Sequence, residues 1–101
     1  MGWATQHIER LLKGETIQIR PRGPSMSGKI ESGQLVTIKP MVDPSELREG
    51  SIVLCKVHGQ QYLHLISAVQ GNRYQISNNR GHINGWCNAN AIFGIVTCVE
   101  D

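Results

Sequence analysis

Ser51-Ile52-Val53-Leu54-Cys55-Lys56-Val57, then His58-Gly59-Gln60, then Tyr62-Leu63-His64-Leu65-Ile66 on to Val69, is the stretch that decides the fold. The first run is short, apolar and rich in β-branched residues, so it reads as a strand, and His58-Gly59-Gln60 turns it. Tyr62 to Val69 returns, Gly71-Asn72 turns the chain again, and Tyr74-Gln75-Ile76 follows. Apolar runs of strand length joined by tight Gly-containing turns predict a meander of consecutive antiparallel strands.

Outward from this meander the pattern stays β. Thr16-Ile17-Gln18-Ile19-Arg20 alternates polar and apolar, as a half-buried strand does, and Pro21, Gly23 and Pro24 end it. Leu35-Val36-Thr37-Ile38-Lys39 is entered through Ser32-Gly33 and closed by Pro40, and Ala91 to Val99 is a final strand. Only Ala4 to Lys13 reads as helix: Ile8, Leu11 and Leu12 fall on one face, with Gly14 as a stop. Val42 to Gly50 reads as a polar loop, and Ser77 to Asn90, rich in Asn and Gly, as irregular chain. The expectation is one mainly β domain over residues 1–101 with a short N-terminal helix.

Composition narrows the function classes. The chain has 101 residues, enough for one modest core, and aromatics are only 5%, so Ile, Val and Leu must fill it. A net charge of +2 and so few aromatics argue against direct nucleic-acid contact. No apolar run approaches the ~20 residues of a membrane helix, and Met1-Gly2-Trp3-Ala4-Thr5 lacks the pattern of a secretory signal. Cys55, Cys87 and Cys98 are odd in number and unpatterned, which suits free thiols in a reducing compartment; a cytoplasmic location is expected.

Ser25 lies in Arg20-Pro21-Arg22-Gly23-Pro24-Ser25-Met26, on a bend that Gly and Pro make sharp. Most serines in such turns only bond to nearby backbone. Met26 and Ile30 take the chain back toward the core, which would hold that hydroxyl rigidly. His64 alternates onto the same strand face as Tyr62 and Ile66. In isolation it reads as a strand histidine satisfied by a backbone carbonyl, while as a base its neutral imidazole near pH 7 gives it an advantage over lysine. Lys29 and Lys56 compete less well, because a lysine base must be desolvated and neither neighbourhood is apolar enough. Cys55, His58, His82 and Cys87 lack paired metal-ligand spacing, so neither metal nor cofactor is expected. The amide-rich run Asn78 to Trp86 is suited to turns, and it could also brace a site, with Arg80 offered to a carboxylate.

In order, these pieces resemble the superfamily of LexA-type repressors, UmuD-like proteins and type I signal peptidases. The serine box of that family resembles Gly23-Pro24-Ser25-Met26 followed by Ser32-Gly33-Gln34-Leu35-Val36-Thr37-Ile38. Its Gly-Asp strand resembles Glu49-Gly50-Ser51-Ile52-Val53-Leu54, and its base strand Tyr62-Leu63-His64-Leu65-Ile66. Ser77-Asn78-Asn79-Arg80 resembles the late signal-peptidase box, and Ile92-Phe93-Gly94-Ile95-Val96 the closing strand. The resemblance covers about Ile17 to Val99 and implies a β-clip or partly open barrel. It further implies a Ser25–His64 dyad hydrolysing a peptide bond in trans, the Ser25 amide on the oxyanion, and Met26, Asn79 and Arg80 in support. Histidine at the base position resembles the endoplasmic-reticulum branch and its archaeal and spore relatives rather than the lysine of most bacterial members.

Some features depart from the family pattern. Pro24 has no N–H where the repressor branch implies an oxyanion donor. Gln34 and Ser51 replace acidic turn residues, and no Ala-Gly or Cys-Gly pair exists for self-cleavage. Neither the DNA-binding helix-turn-helix of the repressors nor the membrane anchor of the signal peptidases is expected. The partner expected is therefore a peptide or protein substrate, with no membrane. A homodimer through Ala91 to Val99 would be formed by analogy with the repressor branch. The rival expectation is a catalytically silent peptide-binding or dimerisation module, accessory to a transcriptional regulator.

Overall fold

The structure, a computed structural model, describes residues 2–101. Helix α1 (Thr5–Leu12) precedes seven strands: β1 (Ile17–Ile19), β2 (Leu35–Pro40), β3 (Ile52–Val57), β4 (Gln60–Gln70), β5 (Arg73–Ser77), β6 (Ile83–Asn88) and β7 (Ile92–Glu100). Single 3-10 turns at Pro44–Glu46 and Ala89–Ala91 complete the described elements. All strands join one antiparallel sheet in the order β1-β2-β7-β3-β4-β5-β6. The sheet is not closed into a barrel, so β1 and β6 are its edges. Among the described residues no helix is long and apolar enough to cross a membrane.

The turns follow their residues. His58 and Gly59 both take positive φ, 51° and 81°, between the paired Val57 and Gln60. That is the mirror-image turn whose twist matches a hairpin. Alternation then sends side chains to two cores. Leu54 and Leu63 join Ile8, Leu11, Val36 and Ile38 on the face that α1 covers. Val53, Cys55 and Ile66 join Tyr74, Ile76 and Ile92 on the other.

Strand β4 changes partners. Its first half, Gln60 to Leu65, pairs with β3, and its second, Leu65 to Gln70, with β5. Gln60 to His64 therefore keeps one edge without a strand neighbour. Gln61 fastens the start of α1 there: its Oε1 accepts the Ala4 N–H at 2.7 Å and its Nε2 donates to Thr5 Oγ1 at 3.0 Å.

Two expectations are corrected. Within Ser77 to Asn90, residues Ile83–Asn88 form β6 despite their poor strand propensity, because β5 offers a ladder along its free side. The amides serve the flanking turns: Asn78 Oδ1 accepts from the N–H groups of Arg80 and His82, and Asn88 Oδ1 from that of Asn90. The final strand is not an open edge along the whole of Ala91 to Val99: β3 pairs with it from Ile92 to Ile95 and β2 from Gly94 to Glu100, so both flank Gly94 and Ile95. Val96 to Glu100, paired with β2 alone, leave a side without a strand among the described residues.

Gly94 lets the helix approach this sheet. A Cβ there would sit 2.6 Å from Ile38 Cγ2 and 2.9 Å from Leu11 Cδ1. Gly94→Ala is expected to destabilise by about 1–3 kcal/mol, as overpacking does. Urea denaturation should show a lower midpoint with an unchanged slope.

Candidate active site

The bend bearing Ser25 is a pair of successive hydrogen-bonded turns. Ser27 N–H donates to the Pro24 carbonyl, and Ile30 N–H to the Met26 carbonyl at 2.8 Å. Met26 and Ile30 are buried in the α1-side core, so the turn is anchored by packing directly after the serine. Asn79 clamps it from the β5–β6 connection: its N–H donates to the Ser25 carbonyl at 2.9 Å, and its Nδ2 to the Ser27 carbonyl at 2.8 Å. Gly28, at φ 97°, leaves room for that amide, since a Cβ would lie 3.1 Å from Asn79 Nδ2. The amides of Ser25 and Met26 have no acceptor among the described residues.

His64 meets this turn at the unpaired edge of β4. Its Nε2 lies 3.2 Å from Ser25 Oγ, within hydrogen-bond reach of a nucleophile and its base. On the other side of the ring, Nδ1 lies 2.7 Å from Asn84 Oδ1. A carbonyl oxygen only accepts, so Nδ1 carries the proton and Nε2 presents a lone pair to the serine O–H. Tyr62, two residues back on the same face, stacks on the imidazole at 4.9 Å between ring centres. The constellation is Ser25–His64–Asn84, with the neutral amide in the orienting position.

Asn84 reaches the ring because β6 is bulged. Ile83 pairs with Ser77 and Gly85 with Ile76, leaving Asn84 as the extra residue. A bulge re-aims the side chain it carries. Gly85 stands at φ 141°, where a Cβ would meet Val57 Cγ1 at 2.9 Å and His58 Nε2 at 3.0 Å, so glycine is required.

The site opens into a cleft of about 580 Å³. Gln18 and Ile19 of β1, with Arg20 to Gly23, line one wall; Gln61 to His64 of β4 line the other, and Trp3 and His7 stand at its rim. Both walls are strand edges without a neighbour on the cleft side.

Electrostatics favour a neutral ring. Burial lowers the His64 pKa below its usual 6.5; the Asn84 bond pulls the other way, and nearby His82 lowers it further. Burial raises the Cys55 thiol far above the ordinary range, and the Cys87 thiol rises for the same reason, so neither is a nucleophile.

Ser25, Met26, Asn79 and His64 are thus brought together, with Met26 as the buried anchor and Asn79 as the clamp. Arg80 is exposed: its N–H bonds to Asn78, and its guanidinium has no ion pair or hydrogen bond among the described residues. Lys29 and Lys56 are exposed and outside the cleft. Among the described residues no three His, Cys, Asp or Glu side chains gather where a metal could sit. Asn84 lies within the amide-rich run, and its one sequence signal is the following Gly85, a bulge marker that takes effect only once β6 pairs with β5. Comparison with protein-family models, curated proteins and solved structures gave no match.

Two outcomes follow from the ring's surroundings. A histidine with a lower pKa folded than unfolded binds fewer protons in the native state. The stability it confers is fully present above pH 6.5 and is lost as pH falls through the lower folded value; an NMR titration of His64 should place its midpoint below 6.5. In Asn84→Ala, which removes the bond that raises the pKa, that midpoint should fall further, and in Asn84→Asp it should rise.

Proposed function

We propose that this chain is a serine peptidase-like domain that cleaves a peptide bond of a separate polypeptide, as the resemblance to the LexA and signal-peptidase superfamily implies. The observation that carries the reading is the 3.2 Å approach of Ser25 Oγ to His64 Nε2, with the ring held in the productive tautomer by Asn84. An isolated strand histidine would need neither a serine on one nitrogen nor an amide on the other.

The chemistry runs through groups already in contact. Ser25 Oγ attacks the scissile carbonyl carbon as its proton passes to His64 Nε2. The tetrahedral oxyanion takes hydrogen bonds from the free amides of Ser25 and Met26, since Pro24 has none to give. When the C–N bond breaks, His64 returns the proton to the leaving amine. Water then attacks the acyl-serine ester, its proton passing to His64, and the serine oxygen leaves as alkoxide recovering that proton. His64 neutral at pH 7 is ready for the first of these steps.

The cleft suits an extended substrate. β1 and β4 are separated in the sheet by an even number of antiparallel pairings, so they run in the same direction. A peptide running opposite to them pairs antiparallel with either open edge, its backbone satisfied and its scissile bond near Ser25. Pro24, by removing an oxyanion donor, favours the second reading, a peptide-binding module that keeps the cleft without turnover.

A fluorophosphonate probe decides between them. Labelling at Ser25, abolished in Ser25→Ala and slowed by about 10²–10⁴-fold in His64→Ala, supports the peptidase. The labelling rate should be flat from roughly pH 7 to 9 and fall in acid with a midpoint below 6.5, the usual value for the ring. Asn84→Ala should slow labelling by roughly 5- to 30-fold, the worth of one orienting hydrogen bond. No labelling anywhere in this range, with peptide binding intact, makes the chain a binding module.

A further inference from the structure

We infer that the cleft selects peptides bearing a carboxylate, through Arg22 with Arg20 on the wall leading to Ser25; this deepens the peptide-binding reading above. Gln18, Arg20 and Arg22 alternate along β1 and its continuation, and all three line the cleft. Alternation is what extended chain produces, and Pro21 between the arginines keeps the backbone extended. Ile17 and Ile19 of the same strand are buried in the core, and Ile19 also lines the cleft, so buried apolar chain and exposed arginines border the same groove.

Neither arginine is neutralised within the fold. The ion pairs among the described residues are Arg10–Glu15 and Lys39–Glu46. Arg20 Nη1 donates to the Gly33 carbonyl at 2.8 Å, which steadies its guanidinium without cancelling its charge. Arg22 makes no hydrogen bond among the described residues and stands exposed. Glu31, the one carboxylate lining the cleft among the described residues, is engaged by the Gly28 N–H at 2.6 Å. Two cations against one occupied anion leave the cleft net positive, and a concave site focuses that field on a ligand. A guanidinium fork also matches a carboxylate in shape.

The test uses the Ser25→Ala chain, so that binding is read without turnover. The probes are fluorescein-tagged, C-terminally amidated hexapeptides of Ala, Val and Gly in which Glu, Gln or Lys is moved through each position. In about 50 mM salt, fluorescence anisotropy should show Glu at one or two positions binding roughly three- to tenfold tighter than Gln, with Lys weaker still. The advantage should vanish in Arg22→Gln, a substitution that breaks no bond of the fold, and shrink in about 500 mM salt. A Glu-free peptide with an unblocked C-terminus that gains the same factor supports the carboxylate site and assigns it to a chain terminus. Equal binding of Glu and Gln peptides, an advantage that survives Arg22→Gln, or no binding by any peptide overturns the inference. Fluorophosphonate labelling of the unmutated chain separates the two claims. A labelled serine without acidic preference overturns this inference alone, whereas acidic preference without labelling sustains it and removes only the peptidase.

Discussion

An 11-residue strand that exchanges one neighbour for another halfway along governs this molecule. While β4 is paired with β3 its outer side is vacant, and by the time β5 covers that side the strand has passed His64. A further strand along that side would occupy the edge that the cleft and the serine turn now border. Here the ring sits where a ladder has not yet begun, so it is buried by neighbours yet borders an open groove. The serine turn, the helix start and the bulged β6 all converge on that gap. Each supplies something the gap lacks: a hydroxyl, a rim and an orienting amide.

The polar network is economical. His64 is bonded on both nitrogens, Asn79 holds the serine turn by two carbonyls, and among the described residues no buried side-chain polar atom is left without a partner. An amide rather than a carboxylate behind the imidazole has an electrostatic consequence. It fixes the tautomer but gives little compensation when the ring becomes charged, so burial dominates and the ring stays neutral. A carboxylate there would make a stronger base that is more often protonated near neutrality. The arrangement therefore trades basic strength for a lone pair that is available over a wide pH range.

Much of the frame was legible in the chain because short-range physics decides it. The helix, the meander and its two glycine turns follow from periodicity and from backbone conformations that Gly supplies, as at His58-Gly59. Ser77 to Asn90 reads as irregular because Asn and Gly are poor strand formers, and what makes Ile83–Asn88 within it a strand is the vacant side of β5. The analogy that would pair two copies through Ala91 to Val99 needs a free edge there; the place of the terminal strand between β2 and β3 depends on a crossover that local sequence does not encode. Ser25 and His64 could be singled out by residue type and by their positions in a bend and a strand. Arg80 attracted notice for its charge, yet the turn leaves it in solvent, while its neighbour Asn79 does the clamping.

By itself, the sequence determined the elements and which faces of them would be apolar, since alternation, helical spacing and turn chemistry act within a few residues. Only the tertiary structure decided that Asn84 completes the site, because a bulge is a mismatch between two strands and exists only once they pair. It alone also decided that residues 39 apart meet at 3.2 Å, a distance fixed by where one strand's partner ends and another's begins.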